Sequence, residues 1–253
     1  MTRTPPFVPR IRSPDERVVV AIDGPAASGK SSTAQWVAEK LGFRHVDSGA
    51  LYRAATAARL VEDEPEAESP EEWTEESVLA AARRVRMVAR GTSFVPQIDD
   101  SPAEERIRSG EVTRRVSAVA RMPRVRDWVN EQVRLASRDG NVVVDGRDIG
   151  TVVFPDATLK IFLVADPWER ASRRLLQRLG RRPTDEEIAE ETDRLVQRDA
   201  RDATQTVQAK DAILIDTTYL TQADQVERIV ALARAVTQPP DETSSIDDVC
   251  GRG

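Results

Sequence analysis

One loop constrains the fold of this chain more than any other feature. Residues Gly24–Ser31, GPAASGKS, fit the pattern G-x-x-x-x-G-K-S/T in full. The loop follows an apolar run, Val18–Ile22, that predicts a buried strand, and it precedes a helical pattern over Ser31–Leu41. Glycines allow the tight turn that aims backbone N–H groups and a helix N-terminus at an anion. This order favours a phosphate-binding loop over an accidental Gly/Ser turn.

The loop predicts a nucleotide site. Lys30 offers a mobile charge for the β- and γ-phosphates, and the Ser31 hydroxyl can ligate Mg²⁺. The candidate nucleotide-binding residues of this segment are Gly24, Pro25, Ala26, Ala27, Ser28, Gly29, Lys30, Ser31 and Ser32.

The rest of the chain alternates predicted strands with predicted helices. Further strands are expected at His45–Asp47, Asn141–Asp145, Leu159–Val164 and Ala212–Asp216, with a hairpin from Val85–Ala89 and Ser93–Ile98. Helices are expected over Gly49–Val61, within 104–137, and over Pro167–Leu179, Asp185–Arg201 and Thr221–Val236. The acidic run 62–76 predicts a solvated loop. Helical crossovers between strands predict a three-layer α/β/α fold with a parallel sheet of about five strands.

Bulk properties limit the function classes. The 253 residues suffice for one core with a smaller inserted lobe, and a net charge of −6 argues against a protein that coats nucleic acid. No run approaches the roughly 20 apolar residues that cross a bilayer. Cys250 is the only cysteine, so we expect a cytoplasmic protein without disulfides. Ten arginines between Arg106 and Arg147 indicate either a solvated surface or an anion site.

A second loop, Asp145–Asp148, leaves the carboxyl end of a predicted strand, where open α/β sheets bind ligands. Asp145 could hold Mg²⁺ or its waters, and Arg147 could bridge phosphates. A plain turn with a surface ion pair is the alternative. A GTPase is disfavoured, because neither Asn130 nor Asn141 begins an N-K-x-D segment.

Taken together, these segments resemble the bacterial cytidylate kinase family over nearly all of 17–236. The matching segments, in the family's order, are Ile22–Lys30, Asp47–Arg53, Arg106–Ser109, Val116–Ala120 with Pro123–Arg126, Asp145–Ala157, Arg198–Asp202 and Asp211–Thr218.

The resemblance implies transfer of the γ-phosphate of ATP to CMP or dCMP, in pyrimidine nucleotide metabolism. It implies Mg²⁺ as cofactor, no nucleic-acid or membrane partner, and a monomer. It also implies one kinase domain, 17–236, with an acceptor-binding insert at about 91–138 and a lid at about 168–205. Residues 1–16 and 237–253 are expected to be flexible ends.

The same resemblance assigns site residues. Lys30, Asp145 and Arg147 would be catalytic, with Mg²⁺ on Ser31 and on Asp145 through water. Arg170 and Arg174 would clamp ATP phosphates, unless they form a solvated helix face. CMP would be bound by Ser48, Tyr52, Arg53, Ser117, Arg126, Arg147, Asp148, Arg198 and Asp202.

Within that set the implied roles differ. Arg53 would grip the acceptor phosphate, Asp148 would accept a hydrogen bond from the exocyclic amino group, and Arg126 would donate toward O2 or N3. Arg198 and Asp202 would hold the ribose.

Gln205 departs from the family pattern. The family usually has an arginine there, followed by a Pro-Leu pair that Thr206–Lys210 lacks. From this gap we hypothesise a raised KM for CMP. His45, the only histidine, is expected to pack or lie on the surface. Two alternative functions stay open: a kinase with another acceptor, such as UMP, AMP or shikimate, and a nucleotide-binding regulator without turnover.

Overall fold

A computed structural model describes residues 17–62 and 73–237. The predicted flexible ends, apart from Thr237, and most of the predicted acidic loop lie outside these ranges. Over the two described ranges, no helix combines the length and the apolarity that crossing a membrane requires.

A single sheet organises the part of the chain that the structure describes. Its strands are β1 Val19–Asp23, β2 Arg44–Asp47, β3 Val85–Arg90, β4 Ser93–Ile98, β5 Ser101–Pro102, β6 Val142–Asp145, β7 Leu159–Val164 and β8 Ile213–Asp216. The order is β3-β4-β2-β6-β1-β7-β8, and β5 pairs with β4. The neighbours β2, β6, β1, β7 and β8 all pair in parallel, which confirms the predicted parallel core.

The hairpin extends this core further than we predicted. Strand β4 pairs in parallel with β2, while β3 and β5 pair with β4 in the antiparallel direction. Within the described residues the sheet therefore has eight strands rather than about five.

Helices cover the sheet and extend beyond it. They are α1 Lys30–Leu41, α2 Ser48–Glu62, α3 Glu75–Ala82, α4 Gly110–Val119, α5 Pro123–Ala136, α6 Pro167–Leu179, α7 Asp185–Asp202 and α8 Gln222–Thr237. Local chemistry sets several of their ends. Helix α1 stops at Gly42, whose φ of 68° favours glycine, and α7 begins at a capping box formed by Thr184 and Glu187.

The alternation of side chains along β1 separates two hydrophobic cores. Val19 and Ala21 pack with apolar residues of α2, α4 and α5 on one face. Val20 and Ile22 pack with residues of α1 and α8 on the other face. The three predicted layers are therefore present.

Two helical features bear on the site. Helix α3 begins within the run that we expected to be a solvated loop. It forms there because Thr74 caps its N-terminus and because Val78, Ala81 and Ala82 are buried. Helices α6 and α7 pack together through buried apolar residues around Ala26 of the phosphate-loop segment. These two helices occupy the predicted lid range, and α4 and α5 occupy the predicted insert range.

Candidate active site

The site lies where the carboxyl ends of β1, β2 and β6 meet. Strand β6 is hydrogen-bonded between β2 and β1, with Asp47 opposite Asp145 and Ile22 opposite Asp145 in the two registers. The loops that leave these strands are therefore neighbours in space, although they are far apart in the sequence.

Glycine makes the phosphate loop possible. Gly24 has a φ of +147°, and a Cβ atom there would lie 2.1 Å from the Leu163 backbone oxygen. Gly29, with a φ of 84°, and Ala27, with a φ of 59°, also have positive φ values. No sequence pattern indicated that Ala27, a residue with a Cβ, would adopt this conformation.

Lys30 lies inside the loop and is 7% exposed. Its Nζ donates to the Pro25 carbonyl at 2.5 Å and to the Ser28 hydroxyl at 3.3 Å. Burial, and then the charge of Arg147, lowers the pKa of Lys30 well below its usual value. Ser32 faces outward, and its hydroxyl donates to the Gly29 carbonyl at 3.1 Å.

Asp145 links three segments of the site. One carboxylate oxygen accepts from the Ser31 hydroxyl at 2.5 Å, and the other lies 2.7 Å from His45 Nε2. Its backbone carbonyl accepts from the Ser48 hydroxyl at 2.8 Å. Ser31 and Asp145, the two residues that we predicted to hold Mg²⁺, are therefore in direct contact.

His45 differs from our expectation of a purely packing or surface role. The ring is buried, but it hydrogen-bonds Asp145 at the centre of the site. Burial lowers the pKa of His45, but the hydrogen bond and charge of Asp145 and the charge of Asp47 outweigh it, so the pKa is raised. The sequence placed His45 in a predicted strand, but the pairing of β2 with β6 that brings it to Asp145 is seen only in the structure.

Hard oxygen donors of this kind fit Mg²⁺. A serine hydroxyl and a carboxylate are oxygen ligands, and Mg²⁺ usually completes its shell with waters and substrate phosphates. In the described part of the chain, no cluster of three or more His, Cys, Asp or Glu residues could hold a metal. Ser31 and Asp145 thus supply two oxygen ligands of the kind that Mg²⁺ prefers.

Five predicted acceptor-site residues come from α2, α4, α5 and the loop after β6. Arg126 of α5 pairs with Asp148, the residue before the π-helical turn Ile149–Val153. Burial raises the pKa of Asp148, although Arg126 partly opposes this effect. Burial also raises the pKa of Tyr52 to about 12. Ser117 lies half-buried on α4, and Ser48 begins α2.

Several arginines lie close to Arg53. Burial, and then the charge of Arg198, lowers the pKa of Arg53 to about 10, with contributions from Arg174 and Arg108. Arg53 donates to the Ile107 carbonyl at 3.2 Å and to the Thr113 hydroxyl at 3.1 Å. Half-buried cations that raise one another's energy favour an anion as their ligand.

Asp202 connects this cluster to α7. The Nε atoms of Arg147 and Arg198 each lie 3.7 Å from an Asp202 oxygen. Arg147 also donates to the Gly24 carbonyl at 3.1 Å. The structure thus brings Arg147, Arg198 and Asp202 together beside the phosphate loop.

Arg170 is placed differently from our prediction that it clamps ATP phosphates. It is 3% exposed, donates to the Ala26 carbonyl at 2.7 Å and pairs with Asp199 at 2.6 Å. Asp199 in turn accepts from the Ala26 N–H at 3.2 Å. Arg170 therefore supports the loop from behind. Asp199, which sequence reasoning did not select, lies inside the Arg198–Asp202 segment.

Arg174 remains at the edge of the cationic cluster. Its Nε pairs with the buried Glu191 at 2.9 Å. Burial lowers the pKa of Arg174, and the charge of Arg198 lowers it further while Glu191 raises it. No pattern in the sequence singled out Glu191, because it is one of many acidic residues on α7.

Comparison with known proteins indicates a family. A family model described as cytidylate kinase matches residues 20–235. A cytidylate kinase from Salinibacter ruber is 41% identical over 229 residues, which cover 86% of this chain and 97% of that protein. A second, from Chloroherpeton thalassium, is 37% identical over 228 residues, covering 87% of this chain and 95% of that protein. A bifunctional pantoate ligase/cytidylate kinase from Synechococcus sp. is 42% identical over 243 residues, covering 92% of this chain and 43% of that protein.

Proposed function

The chain belongs to the cytidylate kinase family, and from that premise we propose that it transfers the γ-phosphate of ATP to CMP or dCMP, giving CDP or dCDP. The observation that supports this most directly is the meeting of three parts in one crevice. These are the phosphate loop with Lys30, the arginine cluster around Arg53, and the buried Arg126–Asp148 pair. Together they suit an anionic donor, an anionic acceptor and a polar base.

The donor is held by the phosphate loop. Backbone N–H groups of the loop and the start of α1 would face the ATP phosphates, and Lys30 would offset their charge. The site would use the positive charge of Mg²⁺ to offset the charge of the phosphates. Ser31 would hold the ion directly, and Asp145 through water, since their oxygens already share one hydrogen bond. Arg170 would act through the loop that it supports, and Arg174 from the lid.

The acceptor is held by the arginine cluster and by two side chains, Arg126 and Asp148, that bind its base. Arg53, Arg147 and Arg198 would bind the monophosphate and ribose together with Asp202, and Arg126 and Asp148 would bind cytosine. Asp148 would accept from the exocyclic amino group of cytosine, whereas the O4 of uracil would leave two acceptors facing each other. Mismatches of buried polar groups of this kind cost about 1–3 kcal/mol each. Ser48, Tyr52 and Ser117 would complete the pocket.

Transfer between two phosphates requires alignment, charge compensation and the exclusion of water rather than a general base. Lys30, Arg53 and Arg147 provide the positive charge. Segments 91–138 and 168–205 would close over the substrates, since the lid helices already contact the phosphate loop through Arg170 and Asp199. A cytoplasmic location and a monomeric state stay predictions of the sequence.

The test is ADP release from ATP·Mg²⁺ with CMP, dCMP, UMP, AMP or no acceptor. We expect rapid release with CMP or dCMP and little with AMP. Lys30→Ala should abolish this activity, while Lys40→Ala, a change of an exposed lysine on the same helix, should retain it. Equal slow release with every acceptor would refute the proposal and favour a nucleotide-binding regulator. A preference for UMP or AMP would mean that Arg126 and Asp148 bind a base other than cytosine.

A further inference from the structure

Gln205 stands where the family usually has an arginine, and the structure gives it a partner. It lies three residues beyond Asp202, the last residue of α7, and its backbone N–H donates to the Asp202 carbonyl at 2.9 Å. Its side-chain Oε1 accepts a hydrogen bond from Arg126 Nη1 at 3.0 Å. The two residues are 79 positions apart in the sequence, so the contact joins the end of the lid to α5.

The guanidinium of Arg126 is held from three directions. Nη1 also donates to the Ala120 carbonyl at 3.1 Å, and Nη2 pairs with Asp148. The side chains of Arg126 and Asp148 are only 18% and 11% exposed. A planar guanidinium presents its N–H donors to a ligand in a defined geometry. Each of these three contacts reduces the number of orientations that Arg126 can adopt.

We propose that Gln205 is a positioning residue for base discrimination, because it fixes Arg126 and, through Arg126, the Asp148 carboxylate that reads the base. This inference rests on the proposed function of the site. Gln205 does not need to touch the nucleotide. Its role is to keep the Arg126–Asp148 pair in one orientation while α7 is in place.

The neutral amide suits this position for an electrostatic reason. A glutamine oxygen accepts from Arg126 without cancelling its charge, so Arg126 remains the partner of Asp148. An arginine at 205 would place a second guanidinium against Arg126, and like charges at this distance repel. Glutamine in place of the family's usual arginine therefore has a function of its own in this chain, and it is more than the loss of a phosphate ligand.

The contact also couples two parts of the acceptor site. Asp202 lies near Arg147 and Arg198, whereas Gln205, one turn later, holds Arg126. The backbone hydrogen bond between residues 202 and 205 ties these contacts into one turn. Placement of α7 over the ribose and orientation of the base site thus occur together.

The experiment compares Gln205→Ala with the wild-type chain and with Gln208→Ala. Gln208 is exposed, lies in the same link, and donates to the Ala212 carbonyl at 3.3 Å, so it is a matched control. Initial rates are measured with CMP and with UMP at saturating ATP·Mg²⁺, CMP binding is measured by calorimetry, and folding is checked by thermal unfolding.

Loss of a hydrogen bond to a charged donor should lower kcat/KM for CMP about tenfold in Gln205→Ala, chiefly through KM. The CMP-to-UMP preference should fall by about threefold or more, while kcat and the KM for ATP stay within about twofold. Gln205→Glu keeps an accepting oxygen but adds a negative charge that would compete with Asp148 for Arg126, so the CMP-to-UMP ratio should fall in this variant as well. Gln205→Arg should raise the KM for CMP and lower the CMP-to-UMP ratio. If Gln205 were only a missing phosphate ligand, the same change would instead lower the KM for CMP.

Several outcomes would overturn the inference. Gln205→Ala could fold with an unchanged CMP affinity and base preference, or Gln208→Ala could produce the same losses. A Gln205→Arg variant with a lower KM for CMP and an intact preference would also exclude it. In these cases the wild-type chain remains a CMP kinase, so only the inference fails. A wild-type chain without CMP-dependent ADP formation would remove both the proposed function and the inference.

Discussion

Replacing Asp23 with asparagine tests how the fold holds the base-site loop. Asp23 ends β1 and is 4% exposed. Its carboxylate oxygens accept the backbone N–H groups of Ile149 and Gly150, each at 2.8 Å, and so anchor the π-helical turn that follows Asp148. Burial raises the pKa of Asp23 to about 6, because it outweighs these two hydrogen bonds, and the charge of Asp148 adds to the rise.

The raised pKa sets the sign of a pH effect on stability. Folded Asp23 binds its proton more tightly than the unfolded chain, whose pKa is 3.8. Its contribution to the free energy of unfolding is therefore fully present below pH 3.8 and is lost as the pH rises through about 6. The two pKa values correspond to a total of about 3 kcal/mol, of which about 1.4 kcal/mol should be lost between about pH 5 and about pH 7.5.

Urea denaturation of the wild type and of Asp23→Asn at these two pH values measures this contribution. Asparagine does not titrate, so the variant should gain about 1.4 kcal/mol relative to the wild type on going from the lower to the higher pH. The loss of one accepting oxygen adds an offset that is the same at both values. Asp156→Asn, a change of an exposed aspartate, is the matched control.

Parallel stability curves for the wild type and Asp23→Asn would refute this reasoning. They would mean that Asp23 is not desolvated as the structure indicates. The same gain in Asp156→Asn would show instead that the general charge balance of the protein, rather than the buried carboxyl, causes the effect.

Three further predictions concern the site. Gly24→Ala should cost about 3 kcal/mol or more in stability and lose ATP affinity, because its Cβ would meet the Leu163 backbone oxygen at 2.1 Å. A normal melting temperature and normal ATP titration would contradict this. Arg53→Lys should raise the KM for CMP about tenfold at an unchanged KM for ATP, since an ammonium cannot replace a planar fork; initial rates with each substrate varied decide this, and equal changes in both KM values would exclude it. His45→Leu should destabilise the fold by about 2–3 kcal/mol and weaken the Mg²⁺ dependence of ATP binding, because Asp145 loses a buried partner at 2.7 Å. Urea denaturation and calorimetric ATP titration at varied Mg²⁺ measure both effects, and a stable variant with unchanged Mg²⁺ dependence would contradict it.

The sequence predicted the elements of this fold well where local patterns decide them. The apolar run before Gly24 and the helix that ends at Gly42 were both expected, and the structure confirms them. Helix α3 was missed because the surrounding prolines and acidic residues outweighed its own signals. Those signals were an N-cap at Thr74 and buried positions at Val78 and Ala81.

The composition of the site was predictable, but its pairings were not. The phosphate loop and the segment Asp145–Asp148 carry motifs whose chemistry can be stated from the residue types. The bond between His45 and Asp145 spans 100 residues, and that between Arg170 and Ala26 spans 144. Such contacts depend on strand register and helix packing, which a local pattern does not specify. The pairing of β4 with β2 could not be predicted from the sequence for the same reason.

The arginine cluster explains why closure and substrate binding should be one event. Arg53 comes from α2, Arg147 from the loop after β6, Arg174 from α6 and Arg198 from α7. Each guanidinium whose pKa is lowered here is disfavoured by burial and by its like-charged neighbours. An anion among them would relieve that repulsion for several elements at once, so its binding energy depends on all of them being in place. Movement of the lid away from the crevice would remove Arg174 and Arg198 from the cluster. In the proposed lid closure, a phosphate should therefore stabilise the closed arrangement more than the open one, and that difference in affinity would drive closure.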